Sequence, residues 1–365
     1  MDVRVPSAPV LALLGVAVGM AAGSPHLVPA PELMTLVVLP PLLAVAAIDV
    51  PPRALRTAWP TLLVLAVGLV LATAASVAAI AHVAVPVSWR VGAVLGAVLA
   101  STDPVAVAAI ARRAHLPRRL VVIVQGESLL NDATSLILVG VAEAIAVGHH
   151  RAGAVLLLLL RLAVGGIVIG LAVGYAVTAP RSDAWFAASL LPALAPFAAA
   201  ALAFAVGASV VTAAIACGLV LAHRCREGDA THRITGALTG LLEPSVFALV
   251  GFTLPGLVRR LSDHDRHLLW LAAAFTGVIL VVRAAWVVPL SRRSGWRTAT
   301  AMTWAGTRGV LPLVAVLTVP TAVDGAAFPH RDLLIALTAG TTLVTLVVQG
   351  MTLAPLLRRL GLQRG

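Results

Sequence analysis

Apolar runs follow one another along almost the whole chain, and most of them are long enough to cross a lipid bilayer. The hydrocarbon core of a bilayer is about 30 Å thick, which takes about 20 helical residues. Of the 365 residues, 60% are hydrophobic and 11% are charged, and the mean hydropathy is +1.01. A water-soluble surface cannot be built from that balance. Because the runs are continuous rather than alternating, we expect an all-α polytopic membrane protein and not an outer-membrane barrel.

We predict twelve transmembrane helices, separated by short clusters of Arg, Pro, Gly, His and Asp. The predicted spans are residues 8–22, 31–49, 59–84, 91–113, 118–147, 153–179, 184–206, 207–223, 234–257, 267–290, 297–320 and 332–356. The loops between them hold about a dozen residues at most. The sequence therefore predicts a single transmembrane domain over residues 1–365 and no soluble regulatory domain.

The formal charge of +11 is explained by the positions of the arginines and does not require a nucleic-acid partner. All 26 basic residues are Arg. Counted from the N-terminus, 17 of them lie in one alternate set of loops and in the termini, 6 lie in the opposite loops and 3 lie within predicted helices. Cytoplasmic loops of membrane proteins carry the excess of basic residues. The bias predicts that both termini are cytoplasmic.

Proline interrupts two of the predicted helices. The fourth contains Ser101-Thr102-Asp103-Pro104, where the proline ring crowds the carbonyl of Ala100 and favours an extended Asp103. The eleventh contains Gly306-Thr307-Arg308-Gly309, followed by Pro312. Unwound backbone is tolerated in a bilayer only where protein buries it or where it lines a cavity. Each interruption therefore predicts a polar site inside the membrane.

The two interrupted helices are seven positions apart in the chain, so they cross the membrane in opposite directions. Discontinuous helices in corresponding positions are typical of transporters built from inverted repeats, with the site near the midplane. We place the two repeats at approximately residues 5–147 and 207–356.

The fifth predicted helix carries polar residues in the segment 126–132, Gly-Glu-Ser-Leu-Leu-Asn-Asp. Ser128 and Asp132 are four residues apart, as are Glu127 and Asn131, so they form two adjacent stripes on one face of the helix. A carboxylate held away from water can bind a proton or a hard cation, whose preferred ligands are carboxylate, hydroxyl and carbonyl oxygens. Asp132 is therefore a candidate site at which a proton and a cation exclude one another.

Four acidic and two basic side chains lie deep within the predicted helices, namely Asp103, Glu127, Asp132, Glu243, Arg283 and Arg308. If they faced lipid, burying them would cost roughly 15 kcal/mol, at about 2.5 kcal/mol each, so they must face one another. Glu127 and Glu243 need cationic partners, and Arg283 and Arg308 are the candidates. Buried pairs of this kind serve as scaffold more often than as transport groups. The four residues are therefore predicted to form structural or gating ion pairs.

At these residues the chain resembles the monovalent cation:proton antiporter family one, which contains bacterial sodium/proton antiporters and animal sodium/proton exchangers. Four motifs match in order and spacing, and together they extend over nearly the whole chain. They are Ser-Thr-Asp-Pro-Val-Ala-Val at 101–107, Gly-Glu-Ser-Leu-Leu-Asn-Asp at 126–132, Trp-Ala-Gly-Thr-Arg-Gly at 304–309 and Val-Gln-Gly-Met-Thr-Leu-Ala-Pro-Leu-Leu at 348–357.

The resemblance implies roles for individual residues. Asp132 would bind the cation and the proton, and Asn131 would be its partner in the Asn-Asp pair. Asp103, Ser128 and the backbone at Thr102 would complete the oxygen shell of a sodium ion around Asp132. An Asn-Asp pair, as opposed to two aspartates, implies electroneutral exchange.

The resemblance also extends to the ion pairs and to the assembly. It implies that Glu127 pairs with Arg283 and that Arg308 lies in the second broken helix. A homodimer in the plasma membrane would be the working form. Typical members have thirteen helices, and the segment from Val5 onward looks like their second, so the helix that contributes to their dimer interface is expected to be missing.

Two further positions depart from the family pattern. Ala44-Val45 stands where members usually have Phe-Glu, and Thr307 replaces a usual leucine beside the arginine.

From these residues we expect a secondary antiporter, with no organic or metal cofactor, that exchanges sodium for protons by alternating access. Lithium and potassium are further candidate ions, because oxygen ligands serve all three. One alternative is a transport-inactive or shortened family member, and another is a cation channel, which would need a continuous pore. An enzyme is the weaker interpretation, since the sequence contains neither a serine nucleophile with its base nor a zinc-ligand motif.

Overall fold

The architecture comes from a computed structural model of the chain. The structure describes residues 8–23, 29–48, 50, 60, 62–85, 87–102, 118–146, 152–179, 190–225, 230–290, 295–323 and 326–362. Within these ranges almost every residue belongs to a helix, and the expected all-α polytopic fold is confirmed.

Thirteen helices are numbered within these described ranges. They are α1 (Ala8–Ala22), α2 (Pro31–Ile48), α3 (Val64–Ala84), α4 (Trp89–Ala100), α5 (Arg118–Ala146), α6 (Ala152–Thr178), α7 (Leu191–Ala205), α8 (Val210–Arg224), α9 (Ala230–Arg260), α10 (Leu268–Leu290), α11 (Trp296–Trp304), α12 (Val310–Thr318) and α13 (Arg331–Arg359). A single helical turn, Asp263–His267, precedes α10. Two short antiparallel strands, β1 (Ala322–Val323) and β2 (Ala326–Ala327), pair Ala322 with Ala327 between α12 and α13.

These helices correspond to the twelve predicted spans. Seven helices in the described ranges, namely α2, α3, α5, α6, α9, α10 and α13, contain stretches long and apolar enough to cross a membrane. The helices α1, α4, α7 and α8 are shorter but also apolar. The eleventh predicted span is divided into α11 and α12, each of nine residues.

The second predicted interruption is present, and at the first one the helix ends where the proline motif begins. Helix α4 ends at Ala100, four residues before Pro104, and Ser101 is already extended. Residues 103–117, which include Pro104, lie outside the described ranges. The second interruption covers residues 305–309, between α11 and α12. Pro312 falls in the first turn of α12, where a missing backbone N–H removes no helical hydrogen bond.

Glycines allow the helices to approach closely. A Cβ at Gly96 would lie 2.2 Å from the carbonyl oxygen of Ala74, so α4 touches α3 backbone to backbone. A Cβ at Gly170 of α6 would lie 2.2 Å from the carbonyl oxygen of Ala213 in α8. Small residues at such contacts are the usual means of packing helices in lipid, where neighbouring helices gain no hydrophobic driving force.

A π-helical segment occupies Val64–Leu69 at the start of α3. Such segments are frequent at functional sites, because the wider turn alters which carbonyls the helix itself satisfies. This segment packs against α5, and Leu65 within it is fully buried. It therefore places main-chain carbonyls beside the polar face of α5.

We expect Gly96→Ala to lower the melting temperature of the purified protein by several degrees. The added methyl group would collide with the Ala74 carbonyl, and overpacking of this kind costs about 1–3 kcal/mol. Gly277→Ala in α10 is the matched control, because a Cβ there meets no atom within 4 Å. Equal melting temperatures for the two variants would show that α3 and α4 are not in close contact.

Candidate functional site

The polar face of α5 meets the end of α4 in the interior of the bundle. The Ser101 hydroxyl donates to Asp132 Oδ1 at 2.5 Å. The Ser128 hydroxyl donates to the carbonyl oxygen of Thr102, also at 2.5 Å. All four residues are buried, and Asp132 has no exposed surface. Asp132 and Ser128 of α5 thus each contact one of the two residues at which α4 has unwound.

Asn131 connects this cluster to α3. One end of its side-chain amide faces the carbonyl oxygens of Leu65, at 3.2 Å, and of Glu127, at 3.3 Å. Both are acceptors, so this end is assigned as the NH₂ group. The amide oxygen then accepts from the Thr102 hydroxyl at 3.2 Å. Asn131 therefore fixes Thr102 without adding a charge to the site.

Arg308 brings the second interruption to the same place. Its Nη1 donates to the carbonyl oxygen of Ser101 at 2.7 Å, and its backbone N–H donates to the Thr345 hydroxyl at 3.3 Å. The side chain is only 2% exposed. A continuous chain of hydrogen bonds therefore runs from Thr345 through Arg308 and Ser101 to Asp132.

A second arginine lies beside the site in a separate ion pair. Arg283 Nη1 and Nη2 donate to the two carboxylate oxygens of Glu127, at 2.5 and 3.1 Å, and both residues are buried. Its Nε donates to the carbonyl oxygen of Met302 at 3.0 Å, near the end of α11. A Cβ at Gly306 would lie 2.4 Å from the Arg283 side chain, so the glycine makes room for the guanidinium. This bidentate pair joins α5, α10 and the second interruption.

The structure brings most of the predicted site residues together. Thr102, Ser128, Asn131 and Asp132 form one cluster, Arg308 reaches it, and Glu127 pairs with Arg283. Their functional roles stay predictions.

Two predicted residues are not part of this description. Asp103 lies outside the described residues. Glu243 lies within α9, partly buried, and its role in an ion pair also stays a prediction.

Three polar residues of the site were not predicted. Ser101 belongs to the proline motif, but the motif does not predict that the Ser101 hydroxyl contacts Asp132. Ser135 donates to the carbonyl oxygen of Ala97 at 2.6 Å, in the last turn of α4. Ser135 follows Ser128 by seven residues, so helical spacing could have indicated it. Thr345 could have been found as one of several threonines at helical spacing in the last span.

The donor set defines what the site can bind. Carboxylate, hydroxyl and carbonyl oxygens together suit a hard monovalent cation, and the carboxylate alone suits a proton. Because Asp132 is fully buried, a charge placed there needs a bound cation, a proton or nearby donors to compensate for lost hydration.

Comparison with known proteins identifies the family. The family model described as "Sodium/hydrogen exchanger, transmembrane" matches residues 2–359. The chain belongs to the sodium/hydrogen exchanger family. The family resemblance given by the four sequence motifs is thereby confirmed.

Two relatives of this exchanger-family chain illustrate the similarity. An uncharacterized Na(+)/H(+) exchanger of Mycobacterium tuberculosis is 36% identical over 355 residues, covering 90% of this chain and 65% of the relative. The Na(+)/H(+) antiporter NhaP of Pseudomonas aeruginosa is 30% identical over 353 residues, covering 88% of this chain and 80% of the relative. The chain thus spans less than two thirds of the mycobacterial protein's length.

A solved structure has the same fold. The sodium proton antiporter MjNhaP1 from Methanocaldococcus jannaschii superposes with a TM-score of 0.78, covering 98% of this chain and 93% of that chain. The two sequences are 20% identical. The antiporter fold expected for this exchanger-family chain is confirmed.

We expect Arg283→Met to destabilise the protein by roughly 3–5 kcal/mol, because it leaves the Glu127 carboxylate buried without its partner. The double variant Glu127→Met/Arg283→Met removes both charges and is expected to recover much of that loss. The measurement is the melting temperature and the monodisperse yield in one detergent. An Arg283→Met variant as stable as the unmodified protein would argue against a structural ion pair.

Proposed function

We propose that the protein is a secondary antiporter that exchanges a monovalent cation, sodium first, for protons across the membrane. The observation that carries the proposal is Asp132, a fully buried carboxylate in hydrogen-bond contact with a broken helix. Family membership and the printed names of the relatives as Na(+)/H(+) exchangers and antiporters support it. On this proposal the protein is a transporter and not an enzyme.

Competition at Asp132 is the proposed mechanism. A bound proton neutralises the carboxylate, and a bound cation does the same with help from hydroxyl and carbonyl oxygens. Ser128 and Thr102 are in position to contribute such oxygens, and Asp103 is proposed as a further ligand. Because one carboxylate serves both ions, binding of one releases the other. Sodium is the proposed ion, and lithium and potassium are the alternatives to be tested.

Alternating access would follow from movement of the interrupted helices. The hydrogen bonds of Ser101 and Arg308 connect the end of α4 and the polar face of α5 to the interruption between α11 and α12. We propose that these four helices move together, exposing Asp132 to one side of the membrane and then to the other. The neutral Asn131 beside Asp132 favours exchange of one cation for one proton, which is electroneutral.

The proposed setting is the plasma membrane, with both termini in the cytoplasm, as the distribution of arginines favours. A homodimer is proposed from the family resemblance. Inward proton flow would then expel sodium, which is a role in pH and sodium homeostasis.

The test is proton efflux from acid-loaded proteoliposomes of the purified protein, read by an internal pH dye as sodium, lithium or potassium is added. We expect cation-dependent alkalinisation that Asp132→Asn abolishes while the variant stays folded. Asp263→Asn is the matched control, since its carboxylate is 90% exposed.

Each failure of that test has a distinct meaning. Exchange that persists in Asp132→Asn would remove Asp132 from the mechanism. No exchange by the folded, unmodified protein would favour a transport-inactive member, and a sustained cation conductance would favour a channel.

We expect Ser128→Ala to raise the sodium concentration for half-maximal transport by roughly 5- to 10-fold. The hydroxyl is proposed to contribute to the cation's shell, and a hydrogen bond of this kind is worth about 1–1.5 kcal/mol. Ser245→Ala serves as the control, because the Ser245 hydroxyl donates to its own helix at Leu241 on the outside of the bundle. An unchanged half-maximal concentration would exclude Ser128 as a ligand.

A further inference from the structure

Four threonines form a line along the buried side of α13. Thr338, Thr341, Thr342 and Thr345 are spaced as i, i+3, i+4 and i+7, which places them on one face of the helix. Each has no exposed surface. We refer to these four residues as the threonine seam. Apart from Thr345, which contacts the Arg308 backbone, neither the motifs nor the proposed ion site accounts for them.

Most of the seam's hydroxyl groups do not use the usual partner for a threonine within a helix. A helical threonine normally donates to a carbonyl three or four residues earlier. Thr235 and Thr276 do so, at 2.8 and 2.9 Å, and Thr345 donates to the carbonyl oxygen of Thr342 at 2.9 Å. Within the part of the chain that the structure describes, the Oγ1 atoms of the other three seam residues have no hydrogen-bond partner.

Further buried polar atoms of this kind occur on α13 itself and within or beside the second interruption. Among the described residues, Arg308 Nε, Gln349 Oε1 and Thr303 Oγ1 are also buried and lack a partner. Thr345 accepts from the Arg308 backbone, and Gln349 Nε2 donates to the carbonyl oxygen of Trp304 at 3.3 Å. These contacts join α13 to both ends of the second interruption.

These six buried polar atoms have no protein partner among the described residues, and they need another source of hydrogen bonds. Leaving one such atom unsatisfied is costly, and native proteins satisfy most of them with protein or with ordered water. The set contains a guanidinium donor, an amide acceptor and hydroxyls that can do both. A ligand that serves all of them must donate and accept, and it must be small. The positive charge of Arg308 disfavours a cation there.

We propose that the threonine seam and the second interruption hold a buried cluster of ordered water molecules. The waters bridge the hydroxyls of Thr338, Thr341 and Thr342 to Arg308 Nε and Gln349 Oε1. Buried waters of this kind make two to four hydrogen bonds each and belong to the fold. The proposal rests on the hydrogen-bond geometry alone and does not depend on which ion, if any, is transported.

The cluster has a defined place relative to Asp132. Arg308 lies between the two, because its backbone contacts Thr345 and its Nη1 contacts the Ser101 carbonyl. Ser101 in turn donates to Asp132. The water cluster hydrates Arg308 at Nε, while Nη1 contacts the Ser101 carbonyl, and the seam residues act as positioning residues for the guanidinium.

The direct test is an experimental structure in lipid nanodiscs at a resolution that shows ordered water. We expect water density within hydrogen-bonding distance of Arg308 Nε and of at least two of the three seam hydroxyls. A map that shows waters elsewhere in the protein interior but none along the seam would overturn the proposal.

A second test uses the direction of a stability change. If waters bind the seam, Thr341→Val/Thr342→Val removes their partners and lowers the melting temperature by several degrees, and maximal transport falls with it. Thr276→Val, which removes a hydroxyl bonded only within its own helix, is the matched control and is expected to change less. If no water binds these hydroxyls, replacing them with methyl groups removes the free-energy cost of burying a hydroxyl without a hydrogen-bond partner. A melting temperature equal to or above that of the unmodified protein would therefore overturn the proposal.

Discussion

The contact between Arg308 and the Ser101 carbonyl joins the two interrupted helices, and the arrangement around Asp132 depends on it. Helix α4 ends at Ala100, which leaves backbone groups that no helix satisfies. The interior of a bilayer offers no bulk water to satisfy them. A guanidinium from the other interruption does so, and this leaves the Ser101 hydroxyl directed at Asp132. Each interruption is thus stabilised by a group that the other one exposes.

The two buried arginines, Arg283 and Arg308, contact different groups. Arg283 neutralises Glu127 directly and also binds the Met302 carbonyl, so it holds α5, α10 and α11 together. Ser101 stands between Arg308 and Asp132, accepting from one and donating to the other. The bidentate pair with Arg283 stabilises the charged form of Glu127 and occupies both of its carboxylate oxygens. Asp132, and not Glu127, is therefore the carboxylate proposed to exchange the two ions.

Much of this arrangement could be predicted from the sequence, because it depends on local rules. The apolar runs predict the membrane spans, and the two proline motifs predict where α4 ends and where the eleventh span divides. The i, i+4 spacing predicts that the polar residues of α5 share one face. The rest depends on tertiary contacts. The residues alone left both Arg283 and Arg308 as partners for Glu127, and only the family resemblance chose between them. Nothing in the sequence indicated that the π-helical start of α3 would offer the Leu65 carbonyl to Asn131.

On the proposed mechanism, Asp132 binds the cation and the proton in turn. Competition between sodium and the proton can be measured as proton release from the purified, detergent-solubilised protein in weakly buffered solution as sodium chloride is added. Choline chloride is the control salt. We expect sodium to release protons from the unmodified protein in a saturable way and to release none from Asp132→Asn. Saturable sodium binding without proton release, or equal release from both proteins, would contradict this mechanism.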